Sequence, residues 1–209
     1  MSKARTAFLS LAAVAFLATA PALAQDHKHR AFFTVDWVSP LASNDISFGA
    51  VQDAVQGTDD FGFEAGYEYR FSDLVGLEGS YMIGSNDFDL QDADTRLGTV
   101  DQQAVTAALN FHVLGKKRFD FWFAPLVSWY AFGDFDIDDA IDSENVDLNT
   151  EWGYGAGVGF EAGLGSKQTV AITTGIRYVK VELQGDEIDG VDFDPIIARV
   201  GLAFRWGTR

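Results

Sequence analysis

The chain has 209 residues, of which 31 are Asp or Glu, 15 are Lys or Arg and none is Cys. The missing thiols exclude disulfides, thiol catalysis and cysteine-bound metals, and a net charge of -16 argues against nucleic acid as a partner. With 18 Phe and 21 Gly beside only 4 Pro, the composition is that of a β-rich chain rather than a disordered one.

The N-terminus reads as a signal peptide. Lys3 and Arg5 give a basic start, Ala7 to Ala20 is one short apolar stretch, and Ala22-Leu23-Ala24 is a small-x-small cleavage site before Gln25. The apolar run is shorter than the ~20 residues a membrane-spanning helix needs. Residues 25–209 are then one domain, and no later segment is apolar enough to cross a bilayer as a helix.

Period two governs the rest. The first strand is expected over Arg30 to Val38. In the second, Phe61, Phe63, Ala65, Tyr67, Tyr69 and Phe71 share one face, against Gly62, Glu64, Gly66, Glu68 and Arg70 on the other. Leu74 to Gly84, Gln102 to Leu114 and Phe119 to Gly133 follow. The sixth segment sets Trp152, Tyr154, Ala156, Val158 and Phe160 against Glu151, Gly153, Gly155, Gly157, Gly159 and Glu161. Gln168 to Val181 and Ile196 to Trp206 complete eight strands. Most are about 9 to 13 residues long, which suits tilted strands crossing a bilayer.

The connections alternate. Ser72-Asp73, Gly115 to Arg118 and Leu164 to Lys167 are tight turns, two of them basic. Ser39 to Asp60, Ser85 to Thr99, Asp134 to Thr150 and Glu182 to Pro195 are long, and they hold 21 of the 31 acids beside one base, Arg96. A signal peptide, an even strand count and this alternation describe an eight-stranded antiparallel up-and-down transmembrane β-barrel of the outer membrane of a Gram-negative bacterium, with short periplasmic turns and long acidic extracellular loops. The alternative, a secreted lipocalin-like barrel, would turn the aromatic face inward and expose columns of Gly to water. Three Asp-Phe-Asp triplets, at 87–89, 134–136 and 192–194, are expected to set an aromatic ring at the outer interface and acids in water, rather than to bind calcium.

The polar parity places Asp36, Glu64, Glu68, Arg70, Glu78, Asn110, His112, Glu161, Arg177, Arg199 and Arg205 inside, where opposite charges have to pair. In the fifth strand Trp122, Leu126, Tyr130 and Phe132 face inward as an apolar stripe, unless the parity slips at Pro125, which lacks a ladder donor. The stripe is either the lining of a hydrophobic pocket or a volume filler.

Three stretches, FGFEAGYEYRFSDLVGLEGSYMIG (61–84), ALNFHVLGKKRFDFWFAPLVSWYAF (108–132) and FDPIIARVGLAFRW (193–206), together with Val38-Ser39-Pro40, resemble the OmpW family of small outer-membrane barrels, overlapping with OmpX-like and OmpA-like barrels. The chain departs from that family in Gln102-Gln103-Ala104, in Ala124-Pro125-Leu126-Val127, and in Gly207-Thr208-Arg209 after Trp206, where the family ends on an aromatic residue read by the barrel-assembly machinery. The resemblance implies a narrow apolar lumen that passes small hydrophobic molecules and releases them sideways into the membrane.

Catalysis is not expected. A serine hydrolase or acylase needs a histidine base beside a serine. The histidines are only His27, His29 and His112. His112 is expected to be a hydrogen-bonded lumen residue, while His27 and His29 are read as a solvated pair rather than a metal site; no cofactor or metal is called for. The partners expected are outer-membrane lipids and lipopolysaccharide, the barrel-assembly machinery and small hydrophobic solutes, around a monomer. The function classes, in order, are a channel for hydrophobic solutes, a closed structural or adhesive barrel acting through its acidic loops, and a lipid-modifying enzyme.

Overall fold

The computed structural model of the chain describes residues 27–41, 43–48, 51–90, 95–113, 118–137, 148–165, 167–184 and 191–207. The signal peptide reading lies outside them. In chain order the strands are β1 (His29–Pro40), β2 (Ser43–Phe48), β3 (Val51–Gly57), β4 (Asp60–Arg70), β5 (Val75–Leu90), β6 (Thr95–His112), β7 (Phe119–Ile137), β8 (Thr150–Leu164), β9 (Val170–Lys180), β10 (Glu182–Leu183), β11 (Val191–Asp192) and β12 (Pro195–Trp206).

Eight of these make the wall, in the order β5-β4-β1-β12-β9-β8-β7-β6, and a β5–β6 pairing closes the ring. Every neighbour is antiparallel. The two ends of the chain meet in the wall, with β1 paired to β12 from His29 opposite Trp206 to Pro40 opposite Pro195. Closure leaves no strand edge of the wall unpaired, and this is the form in which a sheet can sit in lipid. Among the described residues no helix is long and apolar enough to cross a membrane.

Alternation does the sorting. Phe33, Trp37, Phe63, Phe121, Phe123, Val158, Phe160, Ile176 and Leu202 point outward and are exposed, an apolar band that matches a bilayer and would be costly to hydrate in water. The opposite parity is buried inside, including at β7, whose register against β8 runs unbroken from Phe119 to Ala131. Pro125 therefore does not slip the parity. It faces outward, and the pairing of β6 with β7 keeps one register on both sides of it. The shift in that ladder falls between Val100 and Gln102 instead.

Where they are described, the long acidic connections carry strand pairing. β2 and β3 form a hairpin that joins β5 at Val55 to Gly57, while β5 and β6 remain paired up to Leu90 and Thr95. β10 and β11 form a two-residue ribbon. The triplet rings behave differently from expectation. Phe88 and Phe193 are buried, 6% and 2% exposed, and lean towards each other across the mouth with centroids 6.3 Å apart. Once the ribbons continue past the wall, the inward parity continues with them, so an aromatic ring there finds another ring rather than the membrane interface. Phe135 has its side chain outside the described residues.

Glycine on the inner face makes room for the rings. At Gly159 an added Cβ would lie inside the Trp122 ring, and at Gly66 inside that of Phe32. Gly159→Val is expected to lose the fast-migrating folded form on unheated gels, because the buried Trp122 ring already fills that space and overfilling a tight core costs about 1–3 kcal/mol or more. Gly79, exposed on the outer face with nothing within 4 Å of an added Cβ, is the control, and Gly79→Val is expected to keep the folded form.

Candidate functional site

The interior is layered along the barrel. At the end of the short turns, β4 and β6 carry Glu68, Arg70 and His112 into the lumen beside Asp120 from β7. The two ring nitrogens of His112 each meet a carboxylate, Nδ1 with Asp120 Oδ2 at 2.8 Å and Nε2 with Glu68 Oε1 at 2.6 Å. Arg70 joins the same two acids, at 3.2 Å to Glu68 and 3.0 Å to Asp120. His112 is thus a hydrogen-bonded lumen residue between acids and arginine, with no serine among these partners.

The next layer is a continuous salt-bridge network. Arg30 donates from Nε to Glu161 at 2.5 Å, from Nη1 to Glu78 at 3.0 Å and Glu68 at 3.5 Å, and from Nη2 to Thr173 at 3.0 Å. Glu161 also holds Arg205. Glu78 accepts from Arg177 at 2.5 Å and Asn110 at 3.0 Å, and from Arg199 at 3.4 Å. Glu64 accepts from the other arm of Arg177 at 2.6 Å and, at 3.2 Å, from the same Arg199 Nη1 that Glu78 shares. The Arg199 guanidinium lies between the Phe32 and Trp122 rings, 5.1 and 4.9 Å from their centroids. Asp36 is buried at the upper border, its Oδ1 accepting from Thr34 at 2.7 Å.

Above this floor the lining turns apolar. Val38, Met82, Ala104, Leu126, Tyr130, Val179 and Ile197 are buried there in one cluster with Phe88, Phe132 and Phe193, and Trp122 reaches it from the level of the floor. Tyr130 stacks on Phe132 at 5.6 Å, and Phe132 meets Phe193 edge-on at 6.0 Å. The expected stripe of Trp122, Leu126, Tyr130 and Phe132 is therefore one side of an apolar cluster that side chains from opposite strands complete and, in this state, fill. On the outer rim Lys180 lies 3.7 Å from both Asp192 and Asp194, which hold its ammonium above the usual lysine range.

Two charged floor residues escaped the sequence reading. Arg30, 1% exposed, has the parity of Asp36, and Asp120, also 1% exposed, that of Trp122; extending each alternation outward finds them both. His29 is not part of a solvated tail: it heads β1, shares a 2.5 Å contact between Nδ1 and the Tyr67 hydroxyl, and stacks on Trp206 at 5.7 Å.

Known proteins match this architecture. A family model described as an outer membrane protein beta-barrel domain matches residues 9–204. The crystal structure of the outer membrane protein OprG from Pseudomonas aeruginosa superposes with a TM-score of 0.74 at 19% identity, over 88% of this chain and 99% of that one. Neisserial surface protein A superposes at 0.58 and 11% identity, over 85% and 96% of the two chains. The outer membrane protein AlkL, solved in lipid bilayers, superposes at 0.58 and 17% identity, over 90% and 94%. At such identities the likeness is one of fold. No curated protein matches the chain by sequence.

Proposed function

The chain belongs to the outer membrane protein beta-barrel domain family, and we propose that within it this barrel is a narrow passage that takes small hydrophobic molecules from outside into the upper chamber and releases them sideways into the membrane. The observation that carries the reading is the layering of the lumen: an apolar cluster of side chains at the long-loop end, which a solute enters by parting them into a chamber, stands on a floor of paired charges. An apolar solute gains nothing by displacing that floor, since separating buried ion pairs costs several kcal/mol. Its way out is through the wall.

The β6–β7 seam offers the place. Its ladder lacks the pairs Leu109–Pro125 and Asn110–Ala124, where the proline has no N–H to donate. Small buried side chains flank the gap on the inner face, Ala104 and Ala108 from β6 and Ala124 from β7, with Leu126 beside them. A solute in the chamber thus meets a weakened ladder lined by methyl groups. The chain is then a carrier and not a catalyst.

The test is uptake. Cells carrying the protein are expected to take up a small hydrophobic solute faster than cells without it, and a sugar of similar size at the same rate. Leu126→Asp, checked for folding by gel mobility, is expected to abolish the advantage, because an unpaired carboxylate in an apolar chamber stays hydrated and occupies the solute's volume. A folded Leu126→Asp barrel with undiminished uptake would contradict the route. The floor itself favours a second reading, a closed structural barrel acting through its acidic surface loops; absence of any uptake advantage in the wild type would support it.

A further inference from the structure

At the mouth of the chamber one polar side chain stands among rings with an acceptor unused. Asn86, Phe88, Val100, Gln102, Phe132 and Phe193 line a crevice there. Gln102 is 2% exposed and Asn86 1%, so neither amide turns to bulk water. Their orientation is fixed by a relay that begins on the main chain. The carbonyl of Thr58 can only accept, and it receives Asn86 Nδ2 at 2.9 Å. Asn86 therefore presents Oδ1 to its neighbour, and Gln102 Nε2 donates to it at 2.5 Å. Gln102 is left with Oε1 as an acceptor that has no hydrogen-bond partner among the described residues. Flipping either amide would set two donors or two acceptors face to face, so the relay holds the acceptor in place.

We infer that this crevice is a recognition site for neutral amphiphiles with an alkyl or aryl body and one hydroxyl donor, the body lying among Phe88, Phe132 and Phe193 and the hydroxyl donating to Gln102 Oε1. The inference deepens the proposed passage, on which it rests, by naming the class of solute it selects. A buried acceptor without a donor carries a desolvation cost that a ligand hydroxyl removes and a hydrocarbon does not. An ionised carboxylate brings only acceptors to an acceptor and must also approach through loops that hold 21 of the chain's 31 acids. The rings now close on each other and leave no room for a water molecule, so a ligand occupies the site by parting them. Phe193 is the ring to move: it sits between β11 and β12, held by its own N–H to the Val181 carbonyl at 3.0 Å, beside Asp194 in the left-handed region at a φ of 36°.

The experiment uses two isomers, 1-hexanol and methyl pentyl ether, which share a formula and differ in the donor, with hexanoate as the anion. Each is titrated onto the folded barrel in lipid nanodiscs while the side-chain amide signals of Gln102 and Asn86 are followed by NMR. Hexanol is expected to bind about tenfold tighter than the ether, the worth of one hydrogen bond to a buried acceptor, and hexanoate more weakly than either. Gln102→Met, close in shape and without Oε1, is expected to shrink the preference for hexanol, what remains of it going to Asn86 Oδ1, which loses its donor in the variant. If the wild type binds the isomers equally, or hexanoate best, the selectivity inference is overturned while passage of hydrophobic solutes stands. If none of the three perturbs Gln102, the site is overturned, and the uptake assay decides separately whether the passage survives. Should Gln102→Met fail to fold, the comparison of isomers on the wild type alone decides.

Discussion

Glu78→Ala is expected to destabilise the barrel by about 3–5 kcal/mol, the cost of leaving buried charge unpaired. Among the described residues no other carboxylate gathers as many partners: Arg30, Arg177, Arg199 and Asn110 all meet it, and it is 1% exposed. Removing it takes one negative charge from among three guanidiniums, and Arg177 and Arg199 then rely on Glu64 alone. Glu182→Ala, at an exposed position of the β10–β11 ribbon, is expected to change stability by no more than about 0.5 kcal/mol. Urea titration of both variants in lipid, read by loss of the folded gel form, makes the comparison. Equal effects at the two sites would mean that the floor does not carry the barrel's stability.

The wall was legible in the sequence because alternation is a property of each strand alone. Phe61 to Phe71 and Trp152 to Phe160 state their faces without reference to any neighbour, and antiparallel closure follows from short turns between them. The floor was legible as a set of residue types on the inward parity, but its pairing was not. Which arginine meets which acid depends on register between strands far apart in the chain: Arg30 and Glu161 are 131 positions apart, Arg199 and Glu64 135. Arg30 and Asp120 were missed at strand beginnings, where one polar residue looks like the end of a turn.

The mouth was the least legible. Phe88 and Phe193 stand in acidic triplets that read as interface anchors, and only the continued pairing of β5 with β6 turns Phe88 inward. Gln102 and Asn86 carry no charge and no motif, so nothing local marks them. Their relay exists because β5 and β6 align Gly84 with Gln102 and Asn86 with Val100 while Thr58 crosses above. Pro125 was visible as a missing donor, yet its effect, two absent pairs without a change of register, needed the ladder itself.

Sideways release is tested most directly by locking the seam it requires. Thr106 and Ser128 face each other across β6 and β7, both buried, with hydroxyls 2.8 Å apart, just to the long-loop side of the gap at Pro125. The chain has no cysteine, so Thr106→Cys with Ser128→Cys creates a single possible bridge, of nearly unchanged side-chain shape, between strands already at bonding distance. Uptake of a hydrophobic solute is measured in cells carrying this protein, oxidised and then reduced, with folding followed by gel mobility. Oxidised barrels are expected to fall to the uptake of cells without the protein, and reduction to restore the wild-type rate. Oxidised, correctly folded barrels that carry the solute as fast as reduced ones would show that it does not leave through the β6–β7 seam.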